Sequence, residues 1–69
     1  MTKTFFVPAI SCQHCVMTIK RELSAISGVS KVEGDPQSKQ VTVTLSSEDV
    51  LPQVRELMAE IGYPIAKEV

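Results

Sequence analysis

The succession β-α-β-β-α-β along the chain predicts an α+β sandwich: a four-stranded antiparallel sheet with two helices on one face. Three observations predict it. Val16, Ile19, Leu23 and Ile26, and later Val50, Val54, Leu57 and Ile61, recur at three and four residues, the period of an amphipathic helix. Gln40 to Leu45 alternates apolar and polar residues, the period of a half-buried strand. Sixty-nine residues leave room for one core, so these elements form a single domain over 1–69.

Taken in order, Lys3 to Val7 is β-favouring, with Phe5 and Val7 on one face and Thr4 and Phe6 on the other. Pro8 stops it, because proline cannot donate to a sheet ladder. Ala9 to His14 reads as a loop, and Cys15 opens the first helix, which Gly28 ends. Val29 to Glu33 is a second strand, although Val29 and Val32 do not alternate cleanly. Gly34-Asp35-Pro36-Gln37-Ser38 is a turn cluster. Val41, Val43 and Leu45 form the buried face of the third strand. Ser47 offers a helix N-cap, and Glu48 and Asp49 suit the positive end of the helix dipole. Pro52 is tolerated this near a helix start. Gly62 closes the second helix, and Tyr63 to Lys67 is a last strand, which Pro64 confines to an edge. Two right-handed crossovers interleaved in this order give the split-βαβ, or ferredoxin-like, arrangement.

Composition excludes several function classes. Seven basic and eight acidic residues are interspersed, for a net charge of −1, so there is no basic stripe for nucleic acid. Apolar runs are far shorter than the ~20 residues of a membrane helix. The N-terminus leads into a strand and lacks the roughly 7–15-residue apolar stretch of a secretory signal, which points to a cytoplasmic protein. In a reducing cytosol a close cysteine pair more often serves metal or redox chemistry than a structural bridge.

The informative stretch is Ile10-Ser11-Cys12-Gln13-His14-Cys15, which holds both cysteines and the only histidine. Two residues between the cysteines let both sulfurs face one point where a loop enters a helix. Exposed N–H groups and the helix dipole there favour thiolate, the form that binds metal. Soft thiolates select Cu(I), Zn(II) and iron–sulfur clusters. Structural zinc wants four ligands and catalytic zinc three plus an open position. A cluster generally wants four cysteines. Cys12 and Cys15, with His14 as an auxiliary donor, supply fewer, which suits Cu(I); the ligand count alone does not separate Cu(I) from Hg(II). An under-filled site also suits transfer, since an incoming thiolate can add before an outgoing one leaves. His14 is equally well placed to face water, or to serve a metal shared by two chains in a copper-bridged homodimer. Tyr63 is the residue that the topology brings to the same end of the sheet as the thiols. Of the methionines, Met58 reads as core, Met1 is terminal and Met17 packs or faces solvent. A thiol–disulfide redox role is the competing reading. It expects a larger thioredoxin-like unit, and no tryptophan precedes the pair.

With these residues in hand, the chain resembles the heavy-metal-associated domain family, and within it the bacterial copper chaperones. The resemblance covers Lys3 to Ala66 and rests on Ser11-Cys12-Gln13-His14-Cys15-Val16, Gly28-Val29 and Gly62-Tyr63. It implies a ferredoxin-like fold, Cu(I) held by Cys12 and Cys15, and delivery to the metal-binding domain of a copper-transporting P-type ATPase. It also implies a tyrosine near the metal at the place of Tyr63, and a carrier rather than an enzyme. Two residues depart from the family pattern: its glycine and methionine before the first cysteine are Ala9 and Ile10 here. That methionine usually packs inward, which Ile10 can do with a stiffer side chain. Zn(II)-binding domains of metal transporters share this scaffold but often add a carboxylate near the cysteines. No Asp or Glu lies beside Cys12 or Cys15 in the sequence.

Overall fold

The computed structural model describes residues 1–69. Strand β1 (Thr2–Phe6) leads to helix α1 (Gln13–Ser24), strands β2 (Val29–Asp35) and β3 (Gln40–Leu45), a 3-10 turn at Glu48–Val50, helix α2 (Leu51–Glu60) and strand β4 (Lys67–Glu68). The four strands form one antiparallel sheet in the order β2-β3-β1-β4. This is the expected ferredoxin-like sandwich, with both helices over one face.

The strand period decides which side chains face the helices. Phe5 pairs with Val41 and Val32 with Val43, and all four are buried. Thr4 and Thr42 pair on the opposite face, where their hydroxyls meet at 3.1 Å. The core is wholly apolar, with no buried polar residue. Val16, Ile19 and Leu23 contribute from α1, and Val50, Val54 and Met58 from the second helical segment. Each such side chain contributes ~1.5–3 kcal/mol on full burial. The buried line of α2 therefore runs at strict four-residue spacing through Met58. Leu57 and Ile61, expected on the stripe, are only half-buried at its flank.

Several boundaries differ from the sequence reading, among them β1, which runs Thr2–Phe6 rather than Lys3 to Val7. Helix α1 begins at Gln13, two residues before Cys15, and ends at Ser24, where Ala25 and Ile26 donate to Glu22 and Leu23 in a tightened last turn. Strand β2 runs on to Asp35, because Gly34 and Asp35 still find Val41 and Gln40 to pair with. Its imperfect alternation is a register shift between Val29 and Lys31. Ser47 does take the cap position, but of the 3-10 turn, and its hydroxyl makes no cap bond. The last strand shrinks to Lys67–Glu68 on the β1 edge, preceded by one bond from the Ala66 N–H to Phe6 O at 2.9 Å. Pro64, lacking an N–H, offers no earlier rung.

The chain leaves α2 through a left-handed Gly62, φ +90°. Tyr63 N–H donates to Met58 O at 2.8 Å and Gly62 N–H to Ala59 O at 3.3 Å. This paired closure satisfies the last helical carbonyls and fixes where Tyr63 emerges. No helix is long and apolar enough to cross a membrane.

Candidate metal centre

The β1–α1 loop carries the thiols, and its root is firmly built. Val7 and Ile10 are fully buried, so Ile10 does pack inward as a tether. The Ile10 N–H donates to Val7 O at 3.1 Å. From there the chain rises to the surface: Ser11, Cys12, Gln13 and His14 are exposed and Cys15 is half-buried.

Cys12 is the N-cap of α1, with extended backbone (φ −158°, ψ 170°) and no side-chain cap bond. Cys15, the third helical residue, donates its N–H to Cys12 O at 3.1 Å. That one-turn closure aims both side chains the same way, and their sulfurs lie 3.6 Å apart. Both thiols are free. The Ser11 hydroxyl lies 3.8 Å from Cys15 Sγ. Ser11 precedes the N-cap, and nothing in the sequence beyond its closeness to the cysteines marked it as a neighbour of Cys15.

The Cys15 thiol is lowered from its ordinary 9.0 to about 6. The first cause is the Tyr63 hydroxyl, which favours the thiolate by offering it a proton donor, followed by the Ser11 backbone N–H; burial opposes both. The same contact, with burial and the nearby thiols, raises Tyr63. The phenol faces the thiol without closing a hydrogen bond to it in this geometry. To the helix end expected from the sequence, the structure adds the Tyr63 hydroxyl and the Ser11 N–H as causes.

Of the sequence-selected residues, Cys12, Cys15 and Tyr63 converge. His14 does not join them: it is exposed on the first helical turn, its carbonyl accepting from Thr18 Oγ1 at 3.2 Å. No three His, Cys, Asp or Glu side chains gather anywhere in the molecule. Met58 is core, and Met17 is 60% exposed.

Residues 4–64 match the heavy-metal-associated domain. The chain belongs to the heavy-metal-associated domain family. Among relatives of this domain, the mercuric transport protein periplasmic component of Pseudomonas aeruginosa is 36% identical over 66 residues, covering 91% of this chain and 70% of that protein. The copper chaperone CopZ of Bacillus subtilis (strain 168) is 30% identical over 66 residues, covering 94% and 96%. Oxidized MerP from Ralstonia metallidurans CH34 superposes with a TM-score of 0.85 at 30% identity, over 97% of this chain and 94% of that one. A heavy-metal-associated domain binds metal, and the relatives named above include both mercuric and copper proteins.

Proposed function

We propose that this chain is a Cu(I) carrier, not an enzyme: Cys12 and Cys15 hold the ion as thiolates and pass it by ligand exchange to a second two-cysteine domain. The acceptor is the metal-binding domain of a copper-transporting P-type ATPase, and the setting is the cytoplasm. The observation that carries the reading is the pair of soft donors 3.6 Å apart on the molecule's rim. They supply two ligands to an ion content with few, and leave a side open for the acceptor's sulfur. Cys15 is largely thiolate at neutral pH, which favours capture without a large pH penalty. With bonds of ~2.3 Å, the length of a zinc–thiolate bond, sulfurs at the observed spacing subtend about 100° at a shared ion. A linear arrangement needs them roughly 4.6 Å apart, so uptake opens the pair by about 1 Å.

Anaerobic titration should give one Cu(I) per chain, abolished in Cys12→Ser/Cys15→Ser. Stopped-flow transfer to a two-cysteine acceptor should be much faster than release to a small chelator. Disulfide reductase turnover by the metal-free protein would refute the carrier reading. Two chains facing each other can share copper through four cysteines, and sedimentation should then show mass rising with copper and falling with competing thiol.

Mercury is the second reading, favoured by the identity to the mercuric relative from Pseudomonas aeruginosa, 36% against 30% for the copper chaperone. X-ray absorption on metal recovered with the protein from cells separates the two. It reports the element and the number of sulfur neighbours together.

A further inference from the structure

We propose that Lys39 is a positioning residue for the thiol loop: its ammonium reaches from the β2–β3 turn to the Ile10 carbonyl and fixes the loop root, keeping Cys12 within reach of Cys15.

The turn 36–39 lies at the same end of the sheet as the thiol loop. Lys39 Nζ donates to Ile10 O at 2.5 Å, across 29 positions of sequence. A bond from a charged donor is shorter and roughly twice as strong as a neutral one. Lys39 enters none of the molecule's ion pairs, which involve Lys3, Arg21, Lys31 and Arg55. Its ammonium is half-buried against the loop rather than paired with a carboxylate.

The backbone makes the choice of lysine conspicuous. Lys39 has φ +60° and is the only non-glycine residue in the left-handed region. Lysine is poorly suited to that conformation, and glycine or asparagine would adopt it more easily. The conformation is over-determined by its neighbours. Lys39 N–H donates to Asp35 O at 2.8 Å, and Lys39 O accepts from Val7 N–H at 2.7 Å. The turn also closes through Gln37 N–H to Asp35 Oδ1 at 2.9 Å. Strain of this kind persists only where the surroundings over-determine the conformation, as these bonds do. Here the turn grips the loop twice, by backbone at Val7 and by side chain at Ile10, two residues before the first thiol. Ile10 is thus held by its buried side chain, its N–H and its carbonyl, whereas Ser11 and Cys12 beyond it are exposed.

The test separates backbone from ammonium. Lys39→Asn keeps a residue at ease in the left-handed region and removes the cation; Lys39→Gly repeats this, and Lys39→Arg keeps the charge. Backbone order parameters of the metal-free protein should fall at Ser11 and Cys12 in K39N and K39G and stay near wild type in K39R. In K39N and K39G the relief of left-handed strain opposes the loss of the charged bond, so their melting temperatures should change little while the loop loosens, a pairing that a merely structural role would not give. Cu(I) competition against a chromophoric chelator should show about tenfold weaker binding in K39N, equivalent to ~1.4 kcal/mol. The affinity arm rests on the Cu(I) reading above, whereas the motion arm does not. Loop motion unchanged in K39N overturns the proposal, and so does a looser loop with unchanged Cu(I) affinity. A wild-type protein that takes no Cu(I) but shows the motional effect leaves the clamp standing and refutes the copper reading instead.

Discussion

Replacing Gly34 by alanine should destabilise the domain through a single contact with the helix that carries Cys15. Gly34 lies in β2 beneath the first turn of α1. A Cβ at this position would sit 3.0 Å from Val16 Cγ1 and 3.3 Å from Val16 Cγ2. Val16 cannot easily yield, since it is buried to 2% exposure and a β-branched residue in a helix has essentially one rotamer. Overpacking of this kind costs ~1–3 kcal/mol. Loss of the glycine's unfolded-state freedom returns ~0.4–1 kcal/mol. The net loss is about 1–2 kcal/mol, and at ~4–8 °C per kcal/mol for a domain of this size the melting temperature should fall roughly 5–15 °C. The assay is thermal and denaturant unfolding of four proteins: wild type, Gly34→Ala, Val16→Ala and the double variant. Val16→Ala clears the space, so the alanine at position 34 should be neutral or stabilising in that background, with a coupling energy of about 1–2 kcal/mol. A Gly34→Ala protein that melts at or above wild type would refute the reasoning, as would an equal penalty in both backgrounds.

Three further outcomes can be measured directly. Tyr63→Phe should raise the Cys15 thiol from about 6 toward its ordinary 9.0, read as a shift in the pH profile of alkylation at Cys15; an unmoved profile would remove Tyr63 from the site. In the metal-free protein the thiol titrates near 9.0 when unfolded and about 6 when folded, so its stabilisation is fully present above the former and lost as pH falls through the latter. The denaturant midpoint should therefore rise across that window and flatten in Cys15→Ser, and a midpoint that falls with pH contradicts the assignment. Gly28→Ala and Gly62→Ala should differ sharply although both glycines have positive φ, +102° and +90°. At Gly28 the new Cβ meets Val50 Cγ2 at 2.5 Å, and at Gly62 it meets nothing within 4 Å. Backbone strain alone costs ~1–2 kcal/mol, so calorimetry should find Gly62→Ala near that figure and Gly28→Ala clearly beyond it; equal losses would mean that Val50 gives way freely.

Legibility in the sequence followed how local each determinant is. Strand β3 was readable residue for residue, because nothing interrupts the alternation from Gln40 to Leu45. The start of α1 was not: the apolar period begins at Val16, and Gln13 and His14 add no signal ahead of it. Gly34 and Asp35 look like turn residues, and only the partners offered by β3 keep them in the sheet. The stripe of α2 was misplaced by one flank, since Leu57 and Met58 are both apolar and only packing decides between them. Tyr63 could be brought to the thiols by topology alone, because both loops lie at one end of the sheet. The Lys39–Ile10 contact could not, as it depends on a left-handed turn that no residue type there announces.

The placement of the cysteines on either side of the helix boundary makes them unequal partners. Swinging Cys12 outward breaks no backbone bond within α1, since its thiol caps nothing. Cys15 is half-buried and its neighbour Val16 lies in the core, so the inner thiol has less room to move. The outer sulfur is thus the gatepost that yields and the inner one the hinge that stays. In the Cu(I) carrier proposed above, exchange therefore starts on the solvent side of Cys12.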